Sequence, residues 1–260
     1  MPDYSFRFFS LLDYIAHAKT RYYIHSPFVY SLLNDIQTPL THHDLKKILR
    51  FRKQQRNDHE KIIIDPVGTS KEKSVVAQRV SELAARYSLP LKYGKLLFRL
   101  MDRFKPMTIL ETGTGTGFSA ACMASGNPDA VVHTIDALQP LIQIASRHLQ
   151  NARIRNITFH HGQLDDVLAG VCNEIGIIDV AFLDANHTYD ATLRYFETIL
   201  PHLTTRSFVI VDDIHWSKGM NNAWKELCSH QAISLSLDFY RVGVLFLNPG
   251  LSRETFRLYY

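Results

Sequence analysis

Six carboxylates, three glycines and two histidines carry most of the chemistry open to this sequence. Glu111 leads, in the stretch Met107-Thr-Ile-Leu-Glu-Thr-Gly-Thr-Gly-Thr-Gly-Phe-Ser-Ala120, with Gly113, Gly115 and Gly117 at alternate positions behind it. Glycines so spaced tolerate positive φ and let a ligand approach bare backbone. Asp136, Asp165, Asp184 and the pair Asp212-Asp213 follow. A carboxylate accepts hydroxyl and amide protons. A pair of acids beside a third is costly unless a cation or a proton neutralises them. His187 stands three residues after Asp184, and His215 two after Asp213. Imidazole exchanges a proton near neutral pH, so both are candidate bases, His187 first.

The elements that must position these groups follow from periodicity. Alternating and apolar runs predict strands at 107–111, 131–135, 157–160, 177–183 and 207–211. Helical spacing fills the gaps at 117–125, 139–150, 163–172, 189–200 and 218–229. Two further strands, near 232–237 and 242–247, are too close for a helix between them and read as an antiparallel hairpin at the sheet edge. The expected fold is α/β: a Rossmann-like, doubly wound, mainly parallel seven-stranded sheet with that C-terminal edge hairpin, plus an N-terminal helical segment. In such sheets the ligand sits at the carboxyl ends of the strands. Glu111, Asp136, Asp184 and Asp212-Asp213 each close a strand, and the remaining parallel strand runs into His160-His161-Gly162.

The rest of the chain sets bounds. Its 260 residues are 46% hydrophobic and carry a formal charge of +4, which suits one globular domain with an accessory segment and argues for nucleic acid only weakly. Three scattered cysteines, Cys122, Cys172 and Cys228, lack metal-ligand or C-x-x-C spacing and read as reduced thiols. With no apolar run long enough to span a bilayer and no signal-peptide pattern, the expectation is a soluble, cytoplasmic protein without a membrane partner. Residues 1–65 read as a helical segment, a lid or a packing and homodimer surface, and 66–260 as the main domain. Ser26 with Pro27, and Thr41, mark two helix starts there. A basic run from Lys46 to Arg56 reads as a solvated helix face, with RNA contact as the sharper alternative. Lys61-Ile-Ile-Ile is a short extended piece, 67–74 a polar loop, and 74–88 and 91–104 helices.

The glycine stretch does not read G-x-G-x-x-G, because Phe118 stands three residues after Gly115, and no Gly-Lys-Ser/Thr of a phosphate loop follows. Its pattern, E-x-G-x-G-x-G, resembles the first motif of the class I S-adenosylmethionine-dependent methyltransferases. Asp136 ending Val132-His-Thr-Ile-Asp and the Gly162-Gln-Leu-Asp165 segment add to the resemblance, which covers roughly residues 70–248. It implies that Gly113, Gly115 and Gly117 admit S-adenosylmethionine. Glu111 and Ser119 would hold its amino-acid end, Asp136 its ribose, Gly162 and Asp165 its adenine, and Asp184 would adjoin it. Ile178-Asp-Val-Ala-Phe-Leu-Asp184-Ala-Asn-His187 and Phe208-Val-Ile-Val-Asp212-Asp213-Ile-His-Trp216 further resemble the metal-dependent O-methyltransferases of the catechol and caffeoyl-CoA type. Where that branch has Asp-Asn this chain has Asp212-Asp213, which is similar to the macrocin- and novobiocin-type sugar O-methyltransferases. The resemblance implies a divalent cation, magnesium above others, on Asp184, Asp212 and Asp213. It also puts His187 where the branch has a lysine base. Methyl transfer to a hydroxyl of a small-molecule acceptor is the implied reaction. No Asn/Asp-Pro-Pro-Tyr/Phe follows the fourth parallel strand and no Pro-Cys nucleophile is present, which argues against methylation of DNA bases. An RNA-directed enzyme using the basic helix, and a non-catalytic scaffold that binds the cofactor, are the competing readings.

Overall fold

A computed structural model describes residues 4–64 and 76–260. The chain divides into two compact units, Met1–Thr38 with Cys172–Tyr260, and Pro39–Val171. The polar loop expected at 67–74 lies outside the described residues.

The first unit opens with α1 (Tyr4–His17) and α2 (Pro27–Gln37). Ser26 caps α2, its Oγ accepting from the Val29 N–H, and Pro27 supplies the first-turn φ. The second unit begins with α3 (His42–Asn57), started by a capping box in which Thr41 and Asp44 each satisfy the other's backbone N–H. Ile48, Phe51 and Gln55 form its buried face, while Lys46, Lys47, Arg50, Lys53 and Arg56 are exposed. β1 (Lys61–Ile64) pairs antiparallel with β2 (Val76–Arg79). The expected helix at 74–88 is therefore a strand followed by α4 (Val80–Tyr87), because this four-residue pairing is made with residues 12 to 18 positions earlier. α5 (Leu91–Phe104) buries Tyr93, Leu96, Leu97, Leu100 and Met101 at helical spacing and ends where Lys105 turns left-handed, φ 48°.

β3 (Thr108–Thr112), β4 (Val131–Asp136) and β5 (Ile157–His161) then run parallel, with Glu111 opposite Thr134 and Asp136 opposite His161. α6 (Phe118–Gly126) and α7 (Gln139–Asn151) connect them, and α8 (Leu164–Ile175) follows. α6 is buried from Phe118 to Ala124, which explains its run of small residues.

The first unit resumes with β6 (Ile178–Leu183), α9 (Tyr189–Ile199), β7 (Leu203–Val211), α10 (Lys218–Ser229), β8 (Leu235–Asp238), β9 (Gly243–Phe246) and β10 (Glu254–Arg257). Within it β6 and β7 are parallel, β9 lies antiparallel between β7 and β8, and β10 adds in parallel to β8. The expected hairpin is present, but β10 lies outside it, a strand beyond the seven expected. Glu-Thr-Phe-Arg lacks alternation and is ordered by its partner Leu235–Asp238. β7 begins four residues before its expected start, with a register shift against β6 between Ile178 and Val180. The Lys19 N–H donates to the Arg257 carbonyl at 2.8 Å and the Tyr259 N–H to the Lys19 carbonyl at 3.0 Å, which fastens the segment after α1 beside β10. Among the described residues no helix is long and apolar enough to cross a membrane.

Candidate active site

In the Pro39–Val171 unit, the turn from β3 into α6 is built on three left-handed glycines: Gly113 (φ 93°), Gly115 (φ 49°) and Gly117 (φ 81°). They serve different ends. A Cβ on Gly117 would sit 2.9 Å from the Ala145 Cβ, so this glycine lets α7 pack against the start of α6. A Cβ on Gly115 would meet nothing within 4 Å, so that bare backbone faces open space. Gly117→Ala combines a left-handed alanine with a contact that is too short. It is expected to destabilise the fold by about 1–3 kcal/mol, checked by urea denaturation against wild type. The loop is also held from behind: Gln55 Nε2 donates to the Thr116 carbonyl at 2.6 Å, and Ser88 Oγ pairs with Thr116 Oγ1 at 3.0 Å. No local pattern in the sequence marks either support.

Glu111, one residue before the end of β3, has no exposed surface. Its Oε2 accepts from Thr134 Oγ1 at 2.6 Å, and Ser119 also bonds the carboxyl group. Oε1 has no hydrogen-bond partner. Burial pushes the Glu111 pKa up to about 7, against the lowering effect of the Ser119 and Thr134 hydrogen bonds, and the nearby Asp136 charge adds to the rise. Asp136 accepts the Gly115 N–H through Oδ2 and the Leu138 N–H through Oδ1, both at 2.8 Å. Burial raises its pKa as well, opposed by these backbone donors. The Ala137 and Thr114 backbone groups also bond this carboxylate.

These residues fit S-adenosylmethionine. An orphaned, buried carboxylate oxygen suits an ammonium, an open glycine admits a close ligand, and a strand-end aspartate suits ribose hydroxyls. Gly162 adjoins them, its N–H donating to the Asp136 carbonyl at 3.0 Å. It also has a packing duty, since a Cβ there would lie 2.4 Å from Val167. Asp165 is exposed in the first turn of α8, where an acid favours the helix N-terminus. His160 stacks on His133, with Nε2 3.1 Å from the His133 Nδ1.

In the other unit, a second cluster gathers at the carboxyl ends of β6 and β7. Asn186, His187, Asp213 and Tyr240 all have positive φ, which is uncommon for side chains of this size. His187 Nε2 is 3.6 Å from Asp184 Oδ1. Asp212 is fully buried, and both its oxygens are taken by Arg241: Nε to Oδ1 at 3.0 Å and Nη2 to Oδ2 at 2.8 Å. The same Nε is 3.3 Å from Asp213 Oδ1. Burial and the Asp212 charge push Asp213 up to about 6, while Arg241, His187 and Arg7 pull it down.

His215 is the best-fixed polar group in this cluster. Its ring lies parallel to that of Tyr240, with centroids 5.2 Å apart. Nε2 is 2.9 Å from Asp238 Oδ2, and Asp238 is buried. A carboxylate only accepts, so the proton sits on Nε2. Nδ1 then offers its lone pair to Ser10 Oγ at 2.7 Å and Asn221 Nδ2 at 3.1 Å. A cavity of about 70 Å³ is lined by Arg7, Asp213, His215, Trp216, Tyr240 and Arg241. The Arg7 guanidinium lies 4.3 Å from the Trp216 ring centroid. Sequence reasoning missed Arg7, Ser10, Asp238, Tyr240 and Arg241. Only Asp238 carried a signal, as an acid closing an apolar run.

The cluster does not fit the expected divalent cation. Both Asp212 oxygens accept from a guanidinium that also adjoins Asp213, and among the described residues no group of three His, Cys, Asp or Glu side chains is arranged to hold a metal. Asp184 and His187 lie near each other, and Asp212 and Asp213 form an ion-pair cluster with Arg241.

The fold is that of the class I S-adenosylmethionine-dependent methyltransferases. An S-adenosylhomocysteine-bound methyltransferase of Podospora anserina superposes with a TM-score of 0.59 at 16% identity, covering 78% of this chain and 92% of that one. An O-methyltransferase of Bacillus cereus in complex with S-adenosylhomocysteine superposes with a TM-score of 0.57 at 18% identity, covering 84% and 97%. Residues 110–214 match a family described as a methyltransferase domain. Among curated proteins, the release factor glutamine methyltransferase of Escherichia coli is 35% identical over 66 residues, 25% of this chain. The matched stretch spans 24% of that relative's length.

Proposed function

We propose that the chain is an S-adenosylmethionine-dependent O-methyltransferase acting on a hydroxyl of a small-molecule acceptor. The observation that carries this reading is Glu111, wholly buried with Oε1 unpartnered beside the open Gly115. Glu111 and Ser119 hold the amino-acid end of the cofactor and Asp136 its ribose. When bound, the cofactor supplies an electrophilic methyl group on a sulfonium. The chain's own task is then to remove one proton from the acceptor hydroxyl.

His215 is best placed for it. Asp238 fixes its tautomer, and Nδ1 already accepts from a hydroxyl, that of Ser10. His187 is the second candidate. Its Asp184 partner, at 3.6 Å, orients it less firmly. The reading includes no divalent cation, because the carboxylates that would hold one are engaged by Arg241. Similarity in fold to the O-methyltransferase of Bacillus cereus supports oxygen as the acceptor atom.

Incubating the protein with methyl-labelled S-adenosylmethionine and a small-metabolite extract tests this reading, with and without EDTA. Label is expected in a small molecule at equal rates in both arms. Label only in RNA or protein, or none with any extract, would sink it.

A further inference from the structure

We propose that Arg241 is the resident cation of this site: its guanidinium stands where the carboxylate pair would otherwise draw a divalent metal, and it closes Asp212 and Asp213 to one. The inference concerns ion binding and holds whatever the acceptor is.

The geometry is that of a side chain built for the place. The planar fork meets both oxygens of Asp212, at 3.0 and 2.8 Å, and its Nε also reaches Asp213 at 3.3 Å. Such bidentate contact is what arginine, unlike lysine, provides. The backbone is pinned to the same loop. The Arg241 carbonyl accepts the Ile214 N–H at 3.1 Å, and the Arg241 N–H donates to the Phe239 carbonyl at 3.0 Å. The left-handed Tyr240 (φ 71°) makes this tight turn. Its N–H donates to Asp238 Oδ1 at 2.7 Å, so one short hairpin carries both the His215 partner and the cation.

Two adjacent acids on a buried strand end need a positive charge, and Arg241 supplies it from within the chain. A divalent ion would have to take oxygens that already accept strong hydrogen bonds, with a fixed positive charge at contact distance. Magnesium and calcium offer no donor that could replace the fork, only a demand for free oxygen ligands. Arg7, across the same cavity, adds a second cation.

The test is calorimetric titration of the full chain with magnesium, calcium and manganese, in parallel with thermal melts. Neither measurement depends on methyl transfer. Wild type is expected to show no saturable binding at millimolar ion and no shift in melting temperature. Arg241→Ala is expected to melt lower, to gain manganese or calcium affinity by about tenfold or more, and to recover part of its melting temperature when the ion is added. The Asp212→Asn/Arg241→Ala double variant should lose that gain. Arg241→Gln, which keeps an amide donor for Asp212, serves if the alanine variant does not fold, and the wild-type titration decides alone if neither does. Saturable binding by wild type that Asp212→Asn abolishes would overturn the proposal. So would a folded Arg241 variant that gains no affinity.

Discussion

Glu111→Gln is expected to weaken S-adenosylmethionine binding by about 10- to 100-fold, which is what a charge-assisted hydrogen bond contributes. It should also flatten the pH dependence of stability. The Glu111 carboxyl, ordinarily near 4.5, is pushed up to about 7 by burial. Between those values the folded protein keeps a proton that the unfolded chain has lost. The resulting stability is fully present below about 4.5 and is lost as pH rises through about 7, a difference of order 3 kcal/mol. Above pH 7 the free protein holds a buried carboxylate with one oxygen unpartnered, and a bound ammonium relieves that. Cofactor should therefore raise the melting temperature of wild type more at pH 8 than at pH 5.5. Urea denaturation and calorimetry at the two pH values check both statements. An unchanged pH slope in Glu111→Gln would count against this role for Glu111.

His215→Ala is expected to lower the single-turnover rate of methyl transfer by about 10²–10⁴-fold. The cofactor dissociation constant should not change, because Glu111, Ser119 and Asp136, not His215, are the groups proposed to hold the cofactor. Asp238→Asn is the sharper probe. It preserves volume but can present an N–H to the His215 Nε2, which would move the proton to Nδ1 and occupy the lone pair needed for catalysis. A loss of at least about tenfold is expected there, with circular dichroism unchanged. His187→Ala, whose carboxylate stands at 3.6 Å, should cost less. If His187→Ala is the more damaging substitution, the proton goes to His187 and His215 is a positioning residue.

The parts of this molecule that were legible in its sequence are those set by local pattern. The strand before Glu111, the alternate glycines and the amphipathic helices between strands can each be read within a dozen residues. Helix starts at Ser26 and Thr41 are legible for the same reason, because a cap and its partner sit three residues apart. Groups whose meaning comes from a distant partner were hidden. Arg241 is 29 residues from Asp212, on a hairpin where an arginine reads as an ordinary surface residue. Ser10 is 205 residues from His215, on a helix with no signal for chemistry. The Asp212-Asp213 pair invited a metal because the sequence shows the negative charges side by side and their counter-charge elsewhere. Gly162 shows the reverse problem: its position suggested a ligand, and the structure gives it a packing duty against Val167 as well.

The fastening of Lys19 to Arg257 and Tyr259 has a consequence for the making of the protein. Arg7 and Ser10 leave the ribosome about 230 residues ahead of Asp238, Tyr240 and Arg241. At about 5–20 residues per second, α1 waits on the order of 10–50 s for its packing partners. Phe8, Phe9, Leu12 and Ile15 of this helix are exposed even in the finished fold, so during that wait it is a sticky, unsheltered segment. The Pro39–Val171 unit carries Glu111, the glycine turn and Asp136, all made well before Arg241, so cofactor capture can precede any ability to use it. Nascent protein should therefore pass through a stage that binds S-adenosylmethionine but turns nothing over, and in that stage it is most exposed to aggregation and to chaperones.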